Sequence, residues 1–594
     1  MSQINTVTID KFLGVNKTST ETLLQLGEAS QMINFMITDD QKLKKAFGYA
    51  HLFASLGSHS INGMWFGSLN GTDHFLFACG SHVYEQDMTT FANTDLGVIV
   101  DANPTMFFVT NNTVYIMDGT DMYQWTGAGS ISTVVGYVPT VFTASPPAGG
   151  GTILEGINYL NGQKIKKYSG DNIATVYQLP ELSINSVDSV VVGGVPKTVT
   201  TDYTVNLTNG TITFVVKPPV GVNNVVTTWT KTITGDRETI TNNRYYGGVY
   251  YARFWLFGNM NHKNTRYPSG VTMAGVSDPT YFPKYTESDV GEYEITDIVI
   301  QYDKQIIFTS GDSSGASAWY STNETYTDPS TGIITTLFPV YPMNNKVGNI
   351  AKGQTQVIMN NPFTVWKGVF QWVSTYVMNE KNAQWISKRV QNDLDAVDLS
   401  TAITYDWDDK GVYILCVGSK IWAYNYRVDA WYILSLPHTP TCFIAIDKYL
   451  YFGTTDGMIM KFDENVATYD GTTIEANWEM GFTNFGADWL RKFLQRLFIS
   501  LLPLTTTHVD INYETDISNT SDTLTASYGL SGFDTWDFST FDFSTNYSPQ
   551  PFKFKIRAKK IDYFKLKLSN NGTDSVTVLS ITLPVRTGGE VKGR

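Results

Sequence analysis

At 594 residues, with 42% hydrophobic, 14% aromatic and only 16% charged residues, the chain is long enough for several domains and too apolar to remain disordered. Low charge combined with abundant Thr, Asn, Gly and aromatic residues excludes an all-helical protein and predicts a β-rich one. Forty-two Lys and Arg against 55 Asp and Glu leave a net charge of −13, which disfavours a general nucleic-acid coat.

The N-terminus, Met1-Ser-Gln-Ile-Asn-Thr-Val7, carries neither a basic n-region nor an apolar h-region, and no run of apolar residues is long enough to span a bilayer. Residues 1–50 read as a segment that packs on or completes the domain after it. From there a unit recurs: a short apolar strand, a polar or glycine turn, then a strand carrying an aromatic. In order the units are Phe75–Cys79 with Val83-Tyr84, Met106–Val109 with Val114–Ile116, Phe254–Phe257 with Arg266-Tyr267, Ile306–Phe308 with Ala318–Tyr320, Val357–Met359 with Gly368–Trp372, Val412–Cys416 with Ile421–Tyr424, and Tyr449–Phe452 with Met458–Met460. The later spacings bracket the roughly 40–50 residues of propeller blades. Sequence therefore predicts an all-β chain built on a β-propeller of about six to eight blades, with blades over 51–151 and 237–470.

The long gap between Met106 and Phe254 contains Ala144-Ser-Pro-Pro-Ala-Gly-Gly-Gly-Thr152, a linker, followed over 152–236 by short alternating strands. These predict an inserted small β-sandwich, with Asn209-Gly210 as a type I′ hairpin turn. Beyond residue 470 the pattern changes, and 471–594 reads as a C-terminal β-domain. Within it, Trp489 to Leu502 fits an amphipathic helix, or a strand through Leu497, Ile499 and Leu501; core packing is the default for either. Phe533–Thr545 repeats an aromatic-Asp pattern to which no role is assigned.

Chemistry is sparse. No phosphate loop, H-E-x-x-H, C-x-x-C or G-x-G-x-x-G occurs, and Cys79, Cys416 and Cys442 read as buried thiols. Gly311-Asp-Ser-Ser-Gly315 spells a nucleophile elbow, but a strand follows where a helix is needed, so it reads as a hairpin turn. The longer stretch Ser310–Trp319 is similar to the Asp-box of sialidase propellers with one residue too many. Asp406, Asp408 and Asp409, or Glu287, Asp289, Glu292 and Glu294, offer carboxylates for glycoside hydrolysis, and Asp393, Asp395 and Asp398 oxygen ligands for calcium. Solvated loops account for the carboxylate sets, and the Asp393–Asp398 loop lacks the glycine and bidentate Glu of a helix–loop–helix calcium site. His51 with His59, and His74 with His82, read as exposed strand-end residues. No catalytic residue, cofactor or metal is assigned.

One strip differs in kind. Residues 551–570 carry Lys553, Lys555, Arg557, Lys559, Lys560, Lys565 and Lys567 against a single acid, Asp562, in an otherwise acidic chain. Strict alternation with apolar residues puts the cations on one strand face, either to meet an acidic partner or phosphates, or to solvate a sheet edge.

Several stretches together resemble a known family. Gly14–Ser19 through Leu26–Asn34, Lys42–Tyr49, Leu256–Asn259 with Asn264–Ser269, Val276–Phe282 and Ile421–Trp431 are similar to bacteriophage tail nozzle proteins, also called tail tubular protein B, hub or stabilisation proteins. That resemblance implies a non-enzymatic virion tail subunit, synthesised in the host bacterial cytoplasm and without a membrane span. Its implied partners are other copies in a ring, a homohexamer, together with head–tail adaptor proteins and tail fibre or receptor-binding proteins. The ring would extend the portal–adaptor channel, with viral DNA passing through the lumen without sequence-specific binding. The rival expectation is a glycan-binding or glycan-cleaving propeller, an adhesin or depolymerase.

Overall fold

The structure, a computed structural model, describes residues 4–100, 104–313, 316–327, 329, 334–373, 382–502, 506–517, 524–529 and 550–590. Apart from short helical turns, its regular elements are strands. Alternation explains them locally: Gln163–Gly170 switches between half-buried and buried at every position, the signature of a strand with one face on a core.

The repeating units are antiparallel neighbours within separate small sheets. Thr72–Cys79 pairs with His82–Gln86, Met106–Thr110 with Thr113–Met117, and Val412–Val417 with Lys420–Asn425. One unit skips a strand: Gln356–Ile358 and Val369–Trp372 both pair with the intervening Asn361–Val365.

The expected β-propeller is corrected by this pairing. Strands are distributed over many small sheets, and among the described residues none closes into a barrel or curls into a propeller. With it goes the architecture required by the ring and DNA channel, and by a propeller-type glycan site. The error has a physical origin, because a spacing of about 40–50 residues fits any four-stranded meander with ordinary turns. Period-two alternation specifies pairing inside each meander and says nothing about how meanders assemble.

The chain divides into two compact units, one of residues 1–61, 356–374 and 381–594, the other of 62–355 and 375–380. Within the second, strands from Thr140 to Thr230 form a six-stranded and a three-stranded sheet. Tyr168, Val190 and Trp229 from the larger sheet and Tyr177, Ile212 and Phe214 from the smaller share one buried cluster. The turn differs from expectation: Asn206 faces Thr211, so four residues intervene, and Gly210 has positive φ (59°) whereas Asn209 does not. Asn209 instead donates its N–H to Asn206 Oδ1 at 3.0 Å.

In the first unit, the beginning and end of the chain are woven together. One sheet runs Phe35–Ile37, Leu43–Lys45, Thr577–Glu590, Leu490–Leu501 and Gln550–Ile561, with Ile4–Ile9 also pairing to Thr577–Glu590. A second runs Gly14–Val15, Glu28–Ile33, Ala476–Met480, Phe564–Asn570, Thr506–Thr515 and Leu524–Gly529. Only Tyr49–His51 among the early strands joins a meander, pairing with Ile459–Phe462.

Leu490–Leu501 is a strand, which resolves the helix-or-strand ambiguity. Leu494, Leu497, Ile499 and Leu501 are buried on one face. Against Thr577–Glu590 the strand takes four steps from Leu494 to Phe498 where its partner takes three from Val585 to Thr582, a bulge that leaves Gln495 and Arg496 both exposed. That extra residue resets the two-residue parity and makes a bulged strand imitate helical spacing. The Phe533–Thr545 repeat lies outside the described residues.

Candidate docking face

The basic strip is split between the two sheets of the first unit. Gln550–Ile561 ends the first sheet and pairs with Leu490–Leu501. On it Lys553, Lys555, Arg557 and Lys559 are exposed at alternate positions, while Ile556 and Ala558 are buried at 2% exposure. Lys560 is also exposed, with φ of 60°, as the extra residue between Lys559 (opposite Phe493) and Ile561 (opposite Lys492). Lys565 and Lys567 belong to Phe564–Asn570 in the other sheet. There Lys565 is buried between Glu479 (2.5 Å) and Glu21 (3.0 Å). Burial acts to lower its pKa, and the hydrogen bonds to Glu479 and Glu21 outweigh that, leaving it raised. Lys567 is half-buried and stands opposite Glu479 and Asn512.

Cross-strand register completes the face around the five remaining cations. Arg496 lies opposite Lys555, Phe498 opposite Lys553, and Phe493 opposite Lys559. One strand further, Thr582 faces Phe498 and the exposed Arg586 faces Phe493. Thr8 and Thr6 of Ile4–Ile9 follow, opposite Thr582 and Pro584. Residues directly opposite in antiparallel strands share a face, so basic, aromatic and small polar residues share one outward surface. Glu590 marks its far end, opposite Leu490. Lys553, Lys555, Arg557, Lys559, Lys560 and Arg496 form no ion pair among the described residues.

Sequence reading identified the five cations of Gln550–Ile561 but not Arg496, Phe493, Phe498 or Arg586, which arrive from other strands. Only the alternation after Leu497 signalled the strand of Phe493, Arg496 and Phe498, and the bulge masked it. The neighbouring Lys492 turns inward, buried, with Nζ donating to the carbonyl of Asp562 at 3.0 Å.

The other candidate residues have local partners. Asp393 meets Lys420 (3.2 Å), Asp395 accepts from Gln391 Nε2 (2.7 Å), and Asp398 accepts from the amide of Ser400 (3.0 Å). Glu287 accepts from the Tyr159 hydroxyl (2.9 Å), Asp289 from Thr265 (2.6 Å), and Glu294 pairs with Lys352 (2.8 Å). Asp406 and Asp408 share the Tyr426 hydroxyl at 3.3 Å each, and burial with the Asp408 charge pushes Asp406 up to about 6. Asp409 lies 3.7 Å from Lys410. His51, His74 and His82 each pair with a separate carboxylate, Asp470, Glu85 and Asp95. His74 is buried, against the expectation of an exposed strand end. Ser313 ends a strand paired with Ala316–Ser321, so Gly311–Gly315 connects two strands rather than a strand and a helix, with 314 and 315 outside the described residues. Cys79 and Cys416 are buried, and burial pushes Cys79 up to about 11 and Cys416 up to about 12.

A cavity of about 270 Å³ also opens in the first unit, floored by Met36, Phe47, Trp407 and Val412. Its rim charges compensate one another. Glu464 bridges Lys410 (2.6 Å) and Lys44 (3.5 Å), and Asp39 holds Arg427 (2.8 Å).

No family model matches the chain, and no curated protein does. Among solved structures it is similar to a computationally designed protein, Ika8, at 9% identity and a TM-score of 0.32, over 70% of this chain and 99% of that one. It is also similar to BamB from Moraxella catarrhalis, at 9% identity and a TM-score of 0.30, over 78% of this chain and 100% of that one. Neither likeness carries an assignment.

Proposed function

We propose that the chain is a non-catalytic docking protein that holds an anionic macromolecule against the outward face of the sheet containing Leu490–Leu501. The observation that carries this reading is the concentration of exposed Lys553, Lys555, Arg557 and Lys559, which form no ion pair among the described residues, on a chain of net charge −13. A row of exposed cations leaves a local positive potential, which draws in an oppositely charged surface and orients it. Beyond about one Debye length, roughly 10 Å at 0.1 M salt, the acidic remainder of the molecule is screened. A non-catalytic role is supported by the candidate acids and histidines being engaged by neighbouring side chains and backbone.

Chromatography on a sulfated-polymer resin tests this directly. The wild-type chain is expected to be retained near physiological salt and the K553E/K555E/R557E/K559E variant to elute earlier; identical elution would remove the basis of the reading. The sequence resemblance to tail nozzle proteins suggests the virion as the location, with adaptor or fibre proteins as neighbours. Mass spectrometry of purified particles checks that separately: peptides of this chain are expected in them, and their absence would contradict the location.

A further inference from the structure

Building on the docking reading, we infer that the anion is the phosphate backbone of a single-stranded nucleic acid, with bases resting on Phe498 and Phe493. Lys553, Lys555, Arg557 and Lys559 occupy alternate positions of one strand, so neighbouring cations stand about 6.6–6.8 Å apart along it. That interval is close to the step between successive phosphates of an extended strand. Duplex phosphates curve away from a row of this length, whereas a single strand can lie along it.

Charge alone would also suit an acidic protein; the aromatic residues separate the two. Phe498 and Phe493 are half-buried rather than buried, and each stands opposite a lysine on one side. On the other side they meet Thr582 and Arg586. Sequence-tolerant recognition of single strands combines a cationic track with aromatic platforms that receive bases, and this face carries both components. Addition of a partner strand to Gln550–Ile561, the last strand of its sheet among the described residues, is disfavoured. Pro551 lacks an amide donor, and the backbone N–H of Arg557 already donates to the Tyr513 hydroxyl at 3.3 Å.

The test uses the full-length chain and a fluorescein-labelled oligo-dT of about 20 nucleotides, followed by anisotropy across salt concentrations. Five to six neutralised phosphates predict a slope of log affinity against log salt of about −4 for single strands. K553E/K555E is expected to reduce affinity at least tenfold and flatten the slope. Phe498→Ala is expected to reduce affinity several-fold while leaving the slope unchanged, a result that neither a general charge effect nor misfolding produces; circular dichroism checks the fold of each variant. Equal or tighter binding of fluorescein-labelled polyglutamate, insensitive to Phe498→Ala, would overturn the nucleic-acid inference and leave the docking reading standing. Binding to neither polymer would overturn both and identify the lysines as guards of a sheet edge.

Discussion

Lys166 illustrates how this β-protein tolerates a cation inside a core. Only 1% exposed, it directs Nζ at the carbonyl of Gln178 (3.2 Å) and over the rings of Tyr168 (4.7 Å) and Phe142 (5.4 Å). Burial lowers its pKa to about 8. Because the Tyr168 hydroxyl also donates to Gln178 O at 2.8 Å, removing the ammonium leaves no orphaned acceptor. Lys166→Met is therefore expected to stabilise the protein at pH 7 by about 1 kcal/mol, read from thermal or urea unfolding. With the folded pKa below the ordinary lysine value, the cost of the charged form is full below about pH 8 and fades as pH rises toward 10.4, so the gain should shrink over that interval. Asp406 has the opposite sign. Its pKa near 6 exceeds the ordinary value near 3.9, so its contribution is fully present below pH 4 and is lost as pH rises to 6. Asp406→Asn still accepts from Tyr426 and should remove that part of the pH dependence. The melting-temperature difference between variant and wild type is expected to grow from pH 4 to pH 6 and then level off.

Leu490–Leu501 carries both faces of the account, a buried one and an outward one. Leu497→Ala empties a site of zero exposure and is expected to cost about 2–5 kcal/mol in urea unfolding, whereas Phe498→Ala, one position on, should cost far less. The alternative helix would place both residues on its apolar stripe and make their costs similar. At the other end of the element scale, Gly210 sits at φ of 59° with Glu181 O 2.0 Å from where a β-carbon would stand. Gly210→Ala should cost at least about 1 kcal/mol and locally loosen the Tyr203–Phe214 hairpin, as read by amide exchange. These elements show what was legible in the amino-acid order. Alternation located the strands of the meanders, and Asn209-Gly210 marked the right turn, although its length came out as four residues because Asn206 caps the loop. Leu490–Leu501 was obscured by a bulge, a one-residue event that leaves no compositional trace. Lys553 to Lys560 were legible because they follow each other along one strand. Their companions Arg496, Phe498 and Arg586 were not, since only long-range pairing brings strands at 490, 550 and 577 together.

At the scale of the whole molecule, the propeller failed where local information ends. Each meander follows from its own alternation, while the arrangement of meanders depends on contacts between residues far apart in sequence. The same limit applies to Ile4–Ile9, whose pairing with Thr577–Glu590 joins the two ends of the chain in the sheet that bears the candidate face. What remains after that correction is an acidic β-protein with a cationic, aromatic-bearing surface on which an anionic partner rests. Lysine footprinting measures this most directly: the full-length chain is acetylated with and without saturating oligo-dT, and modification is read lysine by lysine by mass spectrometry. Protection of Lys553, Lys555 and Lys559, with Lys197 and Lys217 of the two-sheet module unchanged, is the expected result. Unchanged modification at Lys553, Lys555 and Lys559, with protection elsewhere or nowhere, would contradict the account.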